Sequence, residues 1–326
     1  YEDECWRLFC DRIAGSVKTV MPSSRNFVLN RYFCGSGNIS DCGREEDVYA
    51  GLEIAACVAY KDGYGMGDRP VFAPMQADVM RVAGKRDVWT QLHDFNCPGI
   101  YGQHILRQAF FGLSQKVEGF TYFCLSNDRD VIQDIAGNLT TRYGDFFLSL
   151  EKGYKGVAIY YSRTAQHLAA RKPSGLGNQA QGLWIACIAA GFPADILRDE
   201  DIAAGRAMDY SAIFAPGFNY ADECPAPILA ELRRFANAGK PIFVERASRL
   251  PVEAVVRLPS QFDDYDSGFF PKYVDFDLEV AFELTADLTR LVRDALTRRQ
   301  IVPAARHSLI VGPDWLKRGD GQYMIV

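Results

Sequence analysis

The first half of the chain alternates short apolar runs with segments of helical periodicity. Apolar runs that suit buried strands lie near residues 27–32, 52–60, 87–93 and 119–125. Helical spacing of apolar side chains marks residues 4–14, 73–83 and 101–116. Buried strands that alternate with amphipathic helices indicate βα units around a parallel sheet.

A second series of strands and helices follows a long helical stretch at about residues 129–152, and we place a domain boundary near 152. The predicted strands are residues 156–161, 193–197, 210–216 and 241–245, then 308–311 and 322–326. The predicted helices are residues 178–190, 225–238 and 280–300, with an irregular polar and aromatic segment at 258–273. The helix at 225–238 is the best marked, because prolines open it and Gly239 follows it.

The amino-acid composition indicates which classes of protein and of binding partner are compatible with this chain. The 326 residues are 48% hydrophobic and 24% charged, with a net charge of −5, which is typical of a soluble globular chain. The charge is mild and forms no basic stripe, so we expect neither nucleic acid nor a membrane surface as partner. No apolar run reaches the roughly 18–20 residues of a membrane span. The chain has no initiator Met, and we expect it to be an excerpt of a longer polypeptide.

The nine cysteines and four histidines make metal chemistry improbable. The cysteines occur without CxxC pairs, and their spacing matches no zinc site and no disulfide framework. Cys57, Cys124 and Cys187 lie in apolar runs and are interpreted as buried small hydrophobic residues. We expect no metal and no cofactor. The unpaired cysteines lean towards a cytoplasmic location, which otherwise stays unknown.

Several segments together resemble the family-42 glycoside hydrolases (β-galactosidases) and related clan-A barrel enzymes. They are the Pro98-Gly99 loop, the helical segment Tyr101–Gly112 and the strand Val117–Phe123, followed by a second α/β series. The resemblance covers most of residues 50–250 and rests on segment order. It implies the later part of a (β/α)₈ barrel over residues 1–152. It also implies a flavodoxin-like domain, similar to class I glutamine amidotransferases, over 153–300, and the start of a β-rich domain over 301–326.

That resemblance implies a saccharide substrate and a homo-oligomer formed through the second domain. The strands near 27–32, 52–60, 87–93 and 119–125 would be barrel strands five to eight, and barrel active sites lie at the carboxyl ends of the strands. Arg31, Asp62 and Gln91 are then candidates to bind sugar hydroxyls. The candidate stacking platforms are Tyr60, Tyr64, Trp89 and Tyr101. A plain role in the barrel core is about equally compatible with Trp89 and Tyr60.

The expected catalytic glutamate is missing at the end of the third of these strands. Family members carry the nucleophile at the end of strand seven and the acid/base at strand four, which would precede residue 1 unless Glu2 or Glu4 lies close to it. Here the segment reads Trp89-Thr-Gln-Leu-His-Asp94, with Asp94 as the nearest carboxylate. Asp94 could be the nucleophile, or His93 and Asp94 could do other acid/base work. The site could also bind a saccharide without cleaving it, or the two residues could only satisfy a strand-end loop.

Two functions therefore stand side by side after the sequence alone. The first is a glycoside hydrolase-like protein that acts on β-linked sugars, with Asp94 and His93 as catalytic residues. The second is an inactive saccharide-binding or structural oligomerisation protein. Glutaminase activity is rejected, because no Cys follows the strand at 241–245 and Cys224 precedes a proline-started helix.

Overall fold

A computed structural model describes the chain as two compact units, and each is described here by itself. Described residues up to Leu150 belong to the first unit and those from Glu151 onward to the second. The described residues are 2–25, 27–30, 54–58, 87–93, 109, 112–113, 116–123, 129–152, 155–165, 176–219, 224–260, 262, 286–303, 314–318 and 321–325. The predicted segments at 73–83 and 308–311 lie outside them.

The first unit holds a four-stranded parallel sheet. Its strands are β1 (Phe27–Asn30), β2 (Ile54–Val58), β3 (Asp87–His93) and β4 (Gly119–Phe123). They are hydrogen-bonded in the order β1-β2-β3-β4, and each pair is parallel. All four predicted strands of this half are confirmed. Their order along the chain is also their order in the sheet.

Helix α1 (Glu2–Val20) precedes this sheet and is longer than the predicted 4–14. It continues to Val20 because residues 15–20 contain no proline, and it stops ahead of Met21-Pro22. A residue before proline is sterically disfavoured in the α region. Cys10 and Ala14 are buried on one side of α1, whereas Leu8, Phe9 and Ile13 are exposed.

The helical stretch after β4 differs from the prediction at its end. Helix α2 (Arg129–Asp134) passes through a π-helical turn (Ile135–Thr140) into α3 (Thr141–Ser149). Leu150 is extended and fully buried. Glu151 and Lys152 form strand β5, so the predicted helix to 152 is wrong in its last residues. A strand of only two residues, whose partner strand lies far along the chain, has no local sequence pattern from which it could be predicted.

The second unit contains a five-stranded parallel sheet. Its strands are β6 (Val157–Tyr160), β7 (Ala194–Leu197), β8 (Ala212–Phe214), β9 (Ile242–Val244) and β10 (Val255–Arg257). They are ordered β10-β9-β8-β6-β7, so the chain moves from β6 first to one side and then to the other. Four of these strands match predicted segments; β10 was not predicted.

Four described helices accompany this sheet, and its strands contribute many of the buried apolar side chains. The helices are α4 (Leu176–Ala189), α5 (Asp199–Ala203), α6 (Ala226–Asn237) and α7 (Ala286–Arg298), with a 3₁₀ turn at Arg206–Asp209. All four residues of β6 are buried, as expected for a strand covered on both faces. Phe214 and Phe243 stack with ring centroids 4.9 Å apart on neighbouring strands.

Both ends of helix α6 could be predicted from the sequence, and the structure shows the reason. Pro225 caps it, Pro227 lies in its first turn, and Gly239 follows with φ of +79°. Ile228, Leu232 and Phe235 recur along one side and are buried. The periodicity, the prolines and the glycine therefore all mark the same helix.

The last described strands form a separate antiparallel sheet in the second unit. Strands β11 (Asp314–Arg318) and β12 (Gly321–Ile325) pair as a hairpin, and β11 also pairs with β5. β12 matches the predicted segment 322–326, whereas β11 was not predicted. The division into three domains stays a prediction.

Gly119 gives a direct test of packing in the first sheet. A Cβ atom there would lie 2.5–2.6 Å from indole atoms of Trp89. We expect Gly119→Ala to lower the free energy of unfolding by about 1–3 kcal/mol, as overpacking does, measured by urea denaturation. In a double-mutant cycle, Trp89→Phe should lessen this loss.

Gly144→Ala is the matched control, because a Cβ atom at this helical glycine would meet nothing within 4 Å. It should leave stability unchanged or raise it by about 0.5–1 kcal/mol. Equal effects of the two substitutions would contradict the close contact between Trp89 and Gly119.

Candidate functional site

Strands β3 and β4 have two chemically different faces. Val88 and Leu92 of β3 are fully buried, as are Ala109 and Leu113 of the helical segment before β4. Because side chains alternate along a strand, residues 89, 91 and 93 lie on the opposite face. In the sheet register they pair with residues 119, 121 and 123 of β4. We call these six positions the polar face, after the residue types Gln91, His93 and Thr121 that the sequence has there.

Trp89 lies toward the amino-terminal end of the polar face. Its indole ring lies against Gly119, which has no side chain to displace it. Trp89 is the third residue of β3 and stands four residues before His93, or about 13 Å at the usual rise of a strand. The ring thus covers the amino-terminal part of the face, and its role as a sugar platform stays a prediction.

Gln91 and His93 occupy the carboxyl half of β3. Gln91 pairs with Thr121, and His93, the last residue of the strand, pairs with Phe123. Both positions therefore belong to the end of the sheet where barrel enzymes place their chemistry. The remaining predicted site residues lie outside the described residues: Arg31, Tyr60, Asp62, Tyr64, Asp94 and Tyr101.

Among the described residues, the carboxylates near β3 and β4 lie at the other edge. Asp87, the first residue of β3, forms an ion pair with Arg25. Glu118, just before β4, accepts a hydrogen bond from the backbone N–H of Val88 at 2.5 Å. Both groups join the amino-terminal ends of strands. They lie away from the carboxyl edge and make structural contacts there.

Thr121 is a polar-face residue that the sequence analysis did not single out. Its hydroxyl oxygen is buried and has no hydrogen-bond partner among the contacts that the structure describes. The signal available in the sequence was the alternation Gly119, Thr121, Phe123 along β4. The register that sets Thr121 beside Gln91 could not be read from it.

A second polar cluster lies at the carboxyl edge of the five-stranded sheet, after β6 and β7. The Tyr160 hydroxyl donates to Asp199 Oδ1 at 2.8 Å, and the backbone N–H of Arg163 donates to the same oxygen at 3.2 Å. Burial raises the pKa of Asp199, although the bond from Tyr160 opposes the shift. Burial also raises the pKa of Tyr160 well above its ordinary value.

Cys224 belongs to this cluster but is poorly suited to nucleophilic work. Burial and the nearby Asp199 raise the pKa of its thiol to about 11. A cysteine nucleophile needs a lowered pKa, because the thiolate is the reactive form. The residue after β9 is Glu245, so no cysteine follows that strand directly.

The Glu245 carboxylate forms hydrogen bonds with the backbone of two other loops of the second unit. It is fully buried, and its two carboxylate oxygens accept from the backbone N–H groups of Gly217 at 3.1 Å and Phe262 at 2.9 Å. These bonds join the segments after β8, β9 and β10. A buried carboxylate with backbone donors on both oxygens is an architectural element.

The described part of the chain contains neither a cluster of metal ligands nor a membrane-spanning helix. Within those residues, no group of three His, Cys, Asp or Glu side chains comes together as a ligand set. Among the same residues, no helix is both long and apolar enough to cross a bilayer.

Comparison with known proteins supports the fold at low sequence identity. No protein-family model and no curated protein sequence matches the chain. The exo-carrageenase GH42 from Bacteroides ovatus matches with a TM-score of 0.55 and 10% identity, over 94% of this chain and 46% of that one. Gan42B, a GH42 β-galactosidase, matches with 0.50 and 14%, over 76% and 41%.

A third structure belongs to a different kind of glycosidase. The α-L-fucosidase isoenzyme 2 from Paenibacillus thiaminolyticus matches with a TM-score of 0.50 and 12% identity, over 75% of this chain and 37% of that one. The chain thus spans less than half the length of these three proteins. At such identities the likeness concerns the fold alone: a mixed α/β fold with parallel sheets, similar to that of GH42 barrel enzymes.

The pH dependence of stability tests the buried Asp199. Its pKa is raised above the ordinary 3.8, so between these two values the folded protein holds a proton that the unfolded chain releases. Lowering the pH from above the folded pKa of Asp199 to below its unfolded pKa therefore raises the free energy of unfolding. Above the folded pKa, the carboxylate is ionised and buried, and this lowers the free energy of unfolding. Asp199→Asn removes this dependence while keeping an acceptor oxygen.

We expect the stability of the unchanged protein, relative to Asp199→Asn, to rise as pH falls from 7 to 4. Urea unfolding at several pH values measures this difference. Asp287→Asn, at an exposed helix position, is the control and should shift stability by no more than about 0.5 kcal/mol. A relative loss of stability on acidification would show that the sign is wrong.

Proposed function

We propose that the chain is part of a glycoside hydrolase-like protein that acts on β-linked sugars, in the manner of a β-galactosidase. The observation that carries the proposal is the run of four parallel strands in consecutive order, in a chain similar over 94% of its length to a GH42 exo-carrageenase. The site lies at the carboxyl ends of β1 to β4. Fold alone does not dictate activity, so the site residues carry the rest.

The finer architecture is part of the same proposal. Consecutive parallel neighbours suit one side of a (β/α)₈ barrel, in which each strand pairs with the next. In the second unit, sheet order β10-β9-β8-β6-β7 is the order of flavodoxin-like sheets. That order supports a class I amidotransferase-like domain without its nucleophile. The β-rich start of a third domain and the homo-oligomer through the second stay predictions.

His93 and Asp94 are the proposed catalytic residues. His93 closes β3 on the polar face, and Asp94 follows it directly in the chain. Glycoside hydrolysis commonly uses two carboxyl groups on either side of the scissile bond. In this proposal Asp94 is one of them, and another part of the protein contributes the acid/base. A histidine beside a carboxylate also titrates near neutrality, where proton transfer is useful.

The substrate would be held by stacking and by neutral hydrogen bonds. Gln91 offers an amide to sugar hydroxyls, and Arg31 and Asp62 offer charged partners. Aromatic faces stack on the C–H surface of a sugar ring. The proposed platforms are Tyr60, Tyr64, Trp89 and Tyr101.

One observation favours a second candidate, a saccharide-binding or structural protein without hydrolysis. The carboxyl half of β3 reads Thr90-Gln-Leu-His93 and contains no carboxylate. Among the described residues, Asp87 and Glu118 make structural contacts at the opposite edge. If Asp94 does not reach the sugar, the face can still bind it.

Substitution of the proposed catalytic pair separates the two candidates. On the complete protein, Asp94→Asn and His93→Ala should each lower kcat for a 4-nitrophenyl β-D-galactoside by about 100-fold or more, since acid/base groups contribute at least that much. Their affinity for galactose, measured by calorimetry, should change far less. Initial rates and calorimetry are compared with the unchanged protein.

The exposed Asp209→Asn is the matched control and should retain full turnover, because this carboxylate only pairs with Lys155 in the second unit. Full turnover in both site variants would remove the assignment of His93 and Asp94. Galactose binding without any turnover by the unchanged protein would favour the second candidate.

A further inference from the structure

Helix α1 has two apolar sides, and one of them is exposed. Cys10 and Ala14 are buried, whereas Phe9, Ile13 and Val20 are 55%, 48% and 81% exposed. The three exposed residues recur at spacings of four and seven, so they share one side of the helix. That side lies roughly 100° around the axis from Cys10 and Ala14. We call Phe9, Ile13 and Val20 the outer stripe of α1.

The outer stripe differs from an ordinary solvated helix surface. A surface helix normally directs its apolar side chains toward a core and its polar side chains toward water. In α1 the polar side is also present, since Arg12 and Thr19 are exposed on a separate part of the helix. A helix with a polar side and two apolar sides is typical of one that packs against two neighbouring elements. Exposed apolar patches commonly mark a surface that another element or protein covers.

The place of α1 in the topology indicates which element could cover the stripe. α1 leads into β1, and β1 runs parallel to its neighbour β2. Parallel strands are joined by crossover connections, usually helices, so a helix that enters a parallel strand commonly follows another strand of the same sheet.

Strand β1 has an edge at which such a strand could pair. Among the described strands, β1 pairs with β2 alone and is the end strand of its sheet. The backbone N–H and C=O groups along the other edge of an end strand can pair with a further strand. The four strands follow one another in the sheet as they do in the chain. A strand that precedes β1 in the chain would therefore continue this order at that edge.

We propose that the outer stripe of α1 packs against the helix of a further βα unit of the same protein, whose strand pairs in parallel with β1. One occupant then accounts for two surfaces on consecutive elements, the stripe and the strand edge. In barrel folds the helices form a ring around the strands, and neighbouring helices pack against each other through apolar side chains.

The inference rests on the proposed function, in which the chain is part of a larger barrel protein. It deepens that proposal by naming the surface on which the rest of the barrel docks. The fold likeness supports this occupant, because the chain matches the exo-carrageenase over 94% of its own length but over 46% of that protein.

Cysteine labelling of the complete protein measures whether the stripe is covered. Ile13→Cys should react with N-ethylmaleimide at least about 10-fold more slowly than Thr19→Cys, because a covered thiol reacts only after local opening. Thr19 is the matched control position, since it is exposed on the same helix but lies away from the stripe. Rates are normalised to those in urea, and mass spectrometry of the peptides separates these thiols from the native cysteines.

Thermal unfolding of the complete protein gives a second measurement. Ile13→Ser should lower Tm by at least about 3 °C, because it removes an apolar side chain from a packed contact. Thr19→Ser keeps a hydroxyl at an exposed position and should shift Tm by no more than about 1 °C.

A second copy of the chain is the competing occupant, so labelling is repeated at dilutions at which mass photometry shows separated subunits. Slow labelling of Ile13→Cys that persists in separated subunits, together with the lowered Tm of Ile13→Ser, supports the inference. Equal labelling rates at positions 13 and 19 would overturn it, whatever the change in Tm. Protection that disappears on dilution would also overturn it and assign the stripe to a second copy.

These readouts do not depend on turnover. If His93 and Asp94 prove dispensable for hydrolysis, the assignment of the catalytic pair fails while the labelling result still decides the docking surface. Equal labelling with full loss of turnover in the two site variants would overturn the docking surface alone.

Discussion

Every strand of the two larger sheets runs parallel to its neighbours, so each connection returns the chain across one face of the sheet. In parallel sheets the crossover connections cover the faces, and the strand ends of equal direction gather at one edge. In the first sheet, Val88 and Leu92 are on the buried side, which leaves positions 89, 91 and 93 to the other. In the second, all of β6 is buried and polar contacts collect beyond its end. Both polar regions follow from this constraint.

The two regions differ in how their polar groups are satisfied. Beyond the second sheet, Tyr160 donates to Asp199, and Glu245 accepts from two backbone N–H groups. Burial and the nearby Asp199 raise the pKa of the Cys224 thiol. Asp199 and Glu245 thus each accept hydrogen bonds from neighbouring segments. On the polar face of the first sheet, the Thr121 hydroxyl is buried without such a partner.

Particular elements show which parts of the fold could be predicted. The strands β1 to β4 were legible because each is a compact apolar run between turn-forming segments, and α6 because prolines and Gly239 mark its ends. Strand β10 was missed because Val255–Arg257 is three residues long and only partly buried. Strand β5 exists only through its pairing with β11, more than 150 residues later. Helix α5 is five residues long, too short for a periodic pattern.

The sequence by itself determined the class of fold, the alternation of strands and helices, and the absence of a glutamate from the end of β3, since these depend on residue types and local spacing. Tertiary structure alone decided which residues meet: Trp89 over Gly119, Gln91 beside Thr121, and Tyr160 with Asp199, which is 39 residues away. The physical reason is that register and burial arise from contacts between distant segments. Whether a polar side chain is satisfied depends on those contacts, and no local pattern encodes them.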